Sequence, residues 1–331
     1  MPKVQIFRLI FYLNHICKLN TLETPILFII FNRKDVALKS FEAIKLAKPK
    51  RIYIAGDGAR VSVNTDAVKV TQTREAILNA IDWECEVKTL FQENNLGCGP
   101  GVYAAINWFF DQEEDGIILE DDCVASESFF TFCKTLLDKY KNDERIGLIS
   151  GFNQVGAIPV SDSYCFSKYS VCWGWATWRR AWQHMDYDMK WRAGNYENSI
   201  LSNCGYLGKD YTYWKRRIKA VETGLVSAWD FQWCYSVASQ NQLAAFPEVN
   251  LISNIGYGDD ATHSSKSPFM NYEKREELSF PLRHPDYVLP HTDFDKSFYK
   301  ERNTWINSLA WFFPKSIKDS VKKILGFFYN K

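Results

Sequence analysis

The chain has 331 residues, 46% of them hydrophobic and 16% aromatic, which is enough apolar mass for a large buried core and excludes a disordered polymer. A formal net charge of +1 gives no global attraction for nucleic acid, so no nucleic-acid partner is expected, although local basic stretches exist. The nine cysteines, at positions 17, 85, 98, 123, 133, 165, 172, 204 and 234, show no CxxC spacing and are odd in number, a usage that reads as reduced, mostly buried thiols of a cytoplasmic protein.

Residues 1–23 form a basic, partly apolar segment, with Lys3, Arg8 and Lys18 around Ile6, Phe7, Leu9, Ile10 and Phe11. The apolar run is too short to span a bilayer and no small-residue cleavage site follows it, so a secretory signal is not expected.

Pro25 introduces Ile26 to Phe31, an apolar run of strand length that reads as buried on both faces. Asn32 and Arg33 end it, and Ala37, Leu38, Phe41, Ile44 and Leu46 recur at helical spacing until Pro49. A second strand is predicted over Arg51 to Ala55, ending at Gly56-Asp57-Gly58, then a helix over Thr71 to Ile81 and a third strand over Glu86 to Gln92. Asn95, Gly97, Gly99 and Gly101 lie in a glycine-rich turn ahead of a helix from Val102 to Phe110. The turn has neither GxxxxGK[ST] nor GxGxxG spacing, so the common nucleotide motifs are absent.

The chain then reaches Gly116 to Leu119, a strand, and directly behind it the triplet Glu120, Asp121 and Asp122. Three adjacent carboxylates repel one another unless something positive shares them, and their hard oxygen donors suit Mn²⁺ or Mg²⁺. The plainer alternative is an acidic turn capping the next helix, but Ser126 stands where a cap would, ahead of Phe129, Phe130, Phe132, Cys133, Leu136, Leu137 and Tyr140. A strand follows from Ile146 to Ser150. The alternation implies a doubly wound α/β sheet whose ligands bind beyond the carboxyl ends of the strands, where Asn32, Asp57, Asn95 and Asp122 all fall.

The second half is less periodic and richer in tryptophan. Trp173-Gly174-Trp175 is either core or a platform for sugar rings, whose C–H faces stack on indoles. Trp229-Asp230 opens a helix running to about Ser239, where an aspartate is either a first-turn cap or a reacting group. Asn254 to His263 is a glycine-rich polar segment suited to closing over a ligand, and Ser279 to Lys300 reads as a wrapping segment without periodicity. Ile317, Val321, Ile324, Leu325 and Phe328 recur at helical spacing among Lys315, Lys318, Lys322 and Lys323, a basic amphipathic helix that either packs on the domain or lies in a membrane interface.

The stretch ILEDDCVASESFF, ending at Phe130, resembles the metal-binding segment of GT-A-fold glycosyltransferases, most of all N-acetylglucosaminyltransferase I-like enzymes. A simpler acidic-and-glycine pattern also links the first half to bacterial family 2 glycosyltransferases. The likeness extends to Phe31-Asn32-Arg33, Asp57, the Trp-Gly-Trp segment, Trp229-Asp230 and the stretch ending at His263, covering roughly Thr24 to Ser264. It implies a Rossmann-like GT-A domain with a donor half at 24–150 and an acceptor and catalytic half at 151–300, the basic helix at 301–331 following. It implies a nucleotide-sugar donor, UDP-linked by preference, and a sugar or lipid-linked glycan acceptor. Asp122 would hold the cation, while Glu120 and Asp121 would contact sugar or ribose. Asp57 would bond the base, with Asn32, Arg33, Asn95 and Gly97 lining the donor pocket and His263 near the diphosphate or metal. Asp230 would be the base of an inverting transfer, and Trp173, Trp175 and Trp229 the sugar platform. The second acid that adjoins this base in the relatives is replaced by Phe231.

Three other classes compete. A sugar-1-phosphate nucleotidyltransferase needs a glycine-rich loop after the first strand, where Phe31-Asn32-Arg33-Lys34-Asp35 has no glycine. A non-catalytic carbohydrate-binding protein would leave the triplet unexplained. A retaining transferase would make Asp230 only a cap. The basic amphipathic C-terminal segment, with the basic N-terminal residues adding to it, is expected to attach weakly to the cytoplasmic leaflet of a membrane, a location that would suit a transferase with a lipid-carried acceptor.

Overall fold

The computed structural model describes residues 21–156, 162–256 and 274–302. Four parallel strands, β1 (Ile26–Ile30), β2 (Arg51–Gly56), β3 (Glu86–Phe91) and β4 (Asp115–Glu120), are joined by helices α1 (Lys34–Ala47), α2 (Asp66–Ala80) and α3 (Cys98–Phe110). The apolar run of β1 has a direct cause in the sheet. Ile26, Phe28 and Ile30 point into one core and Leu27 into another on the opposite face, so neither face tolerates polarity.

The predicted boundaries differ in two places. Helix α2 begins at Asp66, well before Thr71, because Asp66 is held by Arg60 and Asn32. Helix α3 begins at Cys98, so Gly99, Pro100 and Gly101 form its first turn instead of a free loop. Proline is tolerated there because a first-turn N–H has no helical acceptor.

After β4 come the short strand β5 (Cys123–Ala125), helix α4 (Glu127–Lys139) and strand β6 (Ile146–Ser150). Helix α4 buries Phe129, Phe132, Cys133, Leu136 and Leu137 along one stripe. The later chain adds β7 (Tyr164–Ser167), β8 (Trp175–Trp178), α5 (Arg179–Trp182), α6 (Glu197–Asn203), α7 (Tyr211–Glu222), α8 (Asp230–Ser239), β9 (Leu243–Pro247), β10 (Ile252–Asn254) and α9 (Thr292–Arg302). The main sheet has eight strands in the order β3-β2-β1-β4-β8-β6-β9-β7, and β10 pairs with β5 in a small second sheet. Strand β8 runs antiparallel between β4 and β6, and β7 antiparallel to β9, so this doubly wound α/β sheet is mixed in its second half.

Several elements of the later chain have no counterpart in the sequence reading, β8 and α9 among them. Strand β8 hides its alternation because all four of its residues are buried. Helix α9 falls in the supposed wrapping segment because Phe294 and Phe298, one turn apart, are its only fully buried apolar residues, with Tyr299 partly buried beside them. Its end is fixed by Arg302, which pairs with buried Asp210 at 2.9 Å and lies over the rings of Tyr169, Tyr213 and Trp214. No helix among the described residues is long and apolar enough to cross a membrane. Eight cysteines are described and all are free thiols. His263 and most of the two basic terminal segments, 1–23 and 301–331, lie outside the described residues.

Candidate active site

The triplet stands at the carboxyl end of β4. Glu120 is the last residue of that strand, and Asp121 and Asp122 make the turn into β5. Arg33, at the end of β1, donates from one guanidinium nitrogen to Asp121 Oδ1 and, at 2.9 Å, to Asp122 Oδ2. Burial works against its charge, but Asp121 and Asp122 raise its pKa, so the guanidinium is the positive partner that three adjacent carboxylates require.

One arginine does not balance the cluster. Burial above all, then Asp122, Asp121 and Asp230, push Glu120 well above the usual carboxylate range. Burial also drives Asp121 up to about 6, with Arg33 opposing and Asp122 reinforcing the rise. Asp121 is 5% exposed, and its Oδ2 is buried with no hydrogen-bond partner among the described residues. An orphaned carboxylate oxygen inside an over-negative cluster is what a divalent cation would satisfy. Among the described residues no group of three or more His, Cys, Asp or Glu side chains is placed to hold a metal ion. The arrangement therefore fits Mg²⁺ or Mn²⁺ held by one or two carboxylates, with the remaining positions open to water and phosphate.

Asp122 is walled by a segment from far along the chain. Pairing of β10 with β5 sets Asn254 opposite Cys123, and Ile255 donates its N–H to the Asp122 carbonyl at 2.9 Å. Past the turn, Ser126 occupies the cap position of α4 but does not cap it; its Oγ pairs with Ser128 Oγ at 3.2 Å. The cap is Glu277, whose carboxylate accepts the N–H groups of Glu127 at 3.1 Å and Ser128 at 2.8 Å. An acceptor so remote in sequence has no local signature, which is why Ser126 alone draws attention.

Asp57 is fully engaged within the chain. Its Oδ1 accepts the N–H groups of Gly58 and Leu96, and its Oδ2 accepts Asn95 Nδ2 and the N–H of Gly97, all between 2.8 and 2.9 Å. Four donors fill the acceptor directions of a carboxylate. Asp57, expected beside the base, holds the Asn95–Gly97 turn through these bonds. Arg74 braces the same corner, donating to the carbonyls of Gly56, Asp57 and Gln92 while lying over Phe91. Asn32 likewise turns to buried Asp66 at 2.8 Å, part of a network closed by Arg60.

The turn carries the site across to the second half. Gly99 donates its N–H to Ser227 Oγ at 3.0 Å, and a β-carbon on Gly99 would stand 2.7 Å from both the Ala228 carbonyl oxygen and the Tyr187 hydroxyl. Only glycine permits that approach. Asp230 follows as the first residue of α8, in the first turn where the helix dipole favours a negative charge. Burial first, and then the negative charges of Glu120, Asp230, Asp122 and Asp57, push the Cys98 thiol up to about 12, so it stays protonated and inert.

The tryptophans divide. Trp175 is 0% and Trp229 3% exposed, and they stack on each other at 5.7 Å beside Trp182 and Trp233. Of the three tryptophans expected as a sugar platform, these two lie in the core that holds the start of α8 and hence Asp230. Trp173 is half-buried, its ring edge-on to Phe152 at 4.7 Å.

No protein-family model matches the chain, and no curated protein matches it. Among solved structures, it is similar to a UDP-glucose pyrophosphorylase complexed with UDP-glucose at 13% identity over 44% of this chain and 62% of that one, TM-score 0.27. It is also similar to an apo UDP-glucose pyrophosphorylase, at 8% identity over 70% and 93% of the two chains, TM-score 0.36. Mouse xyloside xylosyltransferase 1 matches at 9% identity over 68% and 84%, TM-score 0.33. The chain thus spans less than two thirds of the first of these. At such identities and scores, function rests on the residues of the site.

Proposed function

We propose that the protein is a metal-dependent glycosyltransferase of the GT-A kind, taking its sugar from a nucleotide-diphospho-sugar, UDP-linked by preference, and passing it to a hydroxyl of a glycan or lipid-linked glycan. The single observation that carries this reading is the acidic triplet at the carboxyl end of β4, where Arg33 donates to both Asp121 and Asp122 and Asp121 Oδ2 stays buried without a hydrogen-bond partner among the described residues. Breaking a glycosyl phosphate bond builds negative charge on the departing diphosphate, and Mn²⁺ or Mg²⁺ held at Asp122 would supply Lewis-acid stabilisation there.

The chain's own residues provide the rest. Arg33, held by Asp121 and Asp122, sets a fixed positive charge beside the same phosphates. Glu120, half-buried at the end of β4, is suited to the sugar hydroxyls. Asp230 takes the proton from the attacking acceptor hydroxyl, so that displacement inverts the anomeric carbon in one step. The turn Asn95–Gly97, locked by Asp57, forms the donor-side wall. Trp173 and His263 belong to the acceptor and diphosphate sides of this reading, the latter by sequence alone. Peripheral contact of the basic termini with an anionic cytoplasmic leaflet would bring such an enzyme to a lipid-carried acceptor.

The test is a panel of nucleotide sugars scored for Mn²⁺-dependent hydrolysis, which needs no acceptor. The expected result is turnover of one donor, abolished by chelation and by Asp122→Ala. Turnover unaltered in the purified variant would overturn the assignment.

A further inference from the structure

A cavity of 680 Å³ lies apart from the carboxylates, between α6, the end of α8 and the segment after α5. Strand directions fix its position. Strand β8 is antiparallel to both β4 and β6, and β9 is parallel to β6, so β4, β6 and β9 point the same way. Asp230 at the head of α8 belongs to the carboxyl edge with Glu120, whereas Ala238 to Asn241, which line the cavity, lie just before β9 begins. Eight residues of helix separate Asp230 from Ala238, an axial distance of about 12 Å. The cavity is a different place from the reacting carboxylates.

Its chemistry is specific in kind. Two aromatic rings, Trp191 and Tyr196, line it, and Tyr196 is 67% exposed. Trp191 is held in place, its ring meeting Tyr235 edge-on at 5.6 Å and its backbone N–H donating to Asp186 Oδ2 at 3.2 Å. Around them stand the amides of Asn203, Gln240 and Asn241, with hydroxyls from Ser199, Ser202 and Ser239. The formal charges, Lys168 and Asp186, offset each other, with the imidazole of His184 also in the lining, so the cleft has no cluster of cations for an anion such as a phosphate, and the amide-rich lining is wrong for an acyl chain. Aromatic faces with amides and hydroxyls at near-zero charge suit a neutral sugar, whose C–H face stacks while its hydroxyls pair.

We propose that this cleft is a second carbohydrate-binding site, holding a neutral stretch of the acceptor or product glycan away from its reacting end. The proposal deepens the glycosyltransferase reading and rests on it for its biological purpose, though not for the binding itself. A structural link supports joint use. Asp186 lines the cleft, and Tyr187, the next residue, reaches Gly99 at the turn beside Asp230 and stacks on Tyr103 at 4.6 Å. A glycan seated in the cleft is therefore positioned by the same segment that borders the reaction site.

The experiment titrates the full chain, without donor or metal, with hexasaccharides of glucose, N-acetylglucosamine, galactose and mannose, and follows binding by calorimetry. Saturable binding of at least one probe is expected, weakened at least ten-fold by Trp191→Ala and several-fold by Gln240→Ala. Trp191→Phe should retain most of it, and thermal unfolding of each variant confirms the fold. Metal-dependent donor hydrolysis, measured in parallel, should survive all three substitutions. No saturable binding of any probe, or binding indifferent to both Trp191→Ala and Gln240→Ala in folded protein, overturns the proposal. Binding that meets these expectations in a protein without donor hydrolysis supports the cleft and removes the transferase reading instead.

Discussion

A β-carbon on Gly256 would stand 2.1 Å from Oδ2 of Asp122, closer than any two such atoms can sit. The two residues are far apart in sequence, and the β5–β10 pairing presses one onto the other. Gly256→Ala must therefore move either the segment or the carboxylate. We expect metal-dependent nucleotide binding to weaken by at least ten-fold with little change in thermal stability, as read by calorimetric titration alongside a melting curve. Wild-type binding in this variant would show that the Asp122 carboxylate is free to move without cost.

Asp122→Asn should lower donor turnover by about 10²- to 10³-fold, the range found when a group stabilising developing charge is removed. Stability should change by no more than about 1 kcal/mol, because relief of repulsion with its acidic neighbours offsets the lost pairing with half-buried Arg33. Denaturant midpoints and initial rates on the same preparations separate the two effects.

Asp230→Asn should leave donor affinity intact and cut transfer by about 10²- to 10⁴-fold, as loss of a general base does. An equal fall in donor affinity would reassign Asp230 to a donor contact or a helix-end role. The anomer of the product, read by NMR, decides between inverting and retaining chemistry.

Asp66 offers a prediction about pH. The Arg60 guanidinium holds its carboxyl below the usual range against the opposing effect of burial, with Asn32 helping. Because the folded pKa is the lower one, the stabilisation is complete above the unfolded value of about 3.9 and is lost as pH falls through the folded pKa. Asp66→Asn should cost about 1–2 kcal/mol at neutral pH, modest because Arg60 is partly exposed and screened. Urea midpoints of the two proteins should converge as pH drops below about 4. A gap that stayed constant to pH 2 would mean the charge of Asp66 is irrelevant.

Residues 312–331 carry the membrane proposal. Sedimentation with anionic liposomes at low salt should pellet the full chain more than a chain ending at 311, and high salt should reduce the difference. Equal recovery of both in the supernatant at low salt would remove the membrane role.

What the sequence discloses depends on how far each interaction reaches. The buried run of β1, the triplet at the end of β4 and the start of α8 at Asp230 are all visible because local composition and order determine them. Asp57 marks the right corner of the sheet, yet its partners are backbone N–H groups of a turn 39 and 40 residues away, which no side-chain pattern reveals. Glu277 caps α4 from a distance of about 150 residues, and a local serine draws the attention instead. Trp175 and Trp229 show the matching ambiguity: an indole beside glycine has the same letters whether it greets a sugar or another indole, and only the packing of four rings decides for the core. Arg33 occupies the position expected near the donor, while its pairing with Asp121 and Asp122 is legible only once β1 and β4 are neighbours.

The placement of β8 bears on how the chain can be assembled and divided. A strand from the later half of the sequence enters between β4 and β6, and β6 finds its other neighbour in β9, later still. A ribosome-bound chain that has emerged only to residue 150 therefore carries two strands with bare hydrogen-bonding edges and no means of satisfying them. Such an intermediate invites chaperones while it waits. The same interleaving means that residues 24–150 cannot be exchanged between relatives as a cassette cut at residue 150. A viable chimera has to carry Trp175 to Trp178 along with the strands it joins.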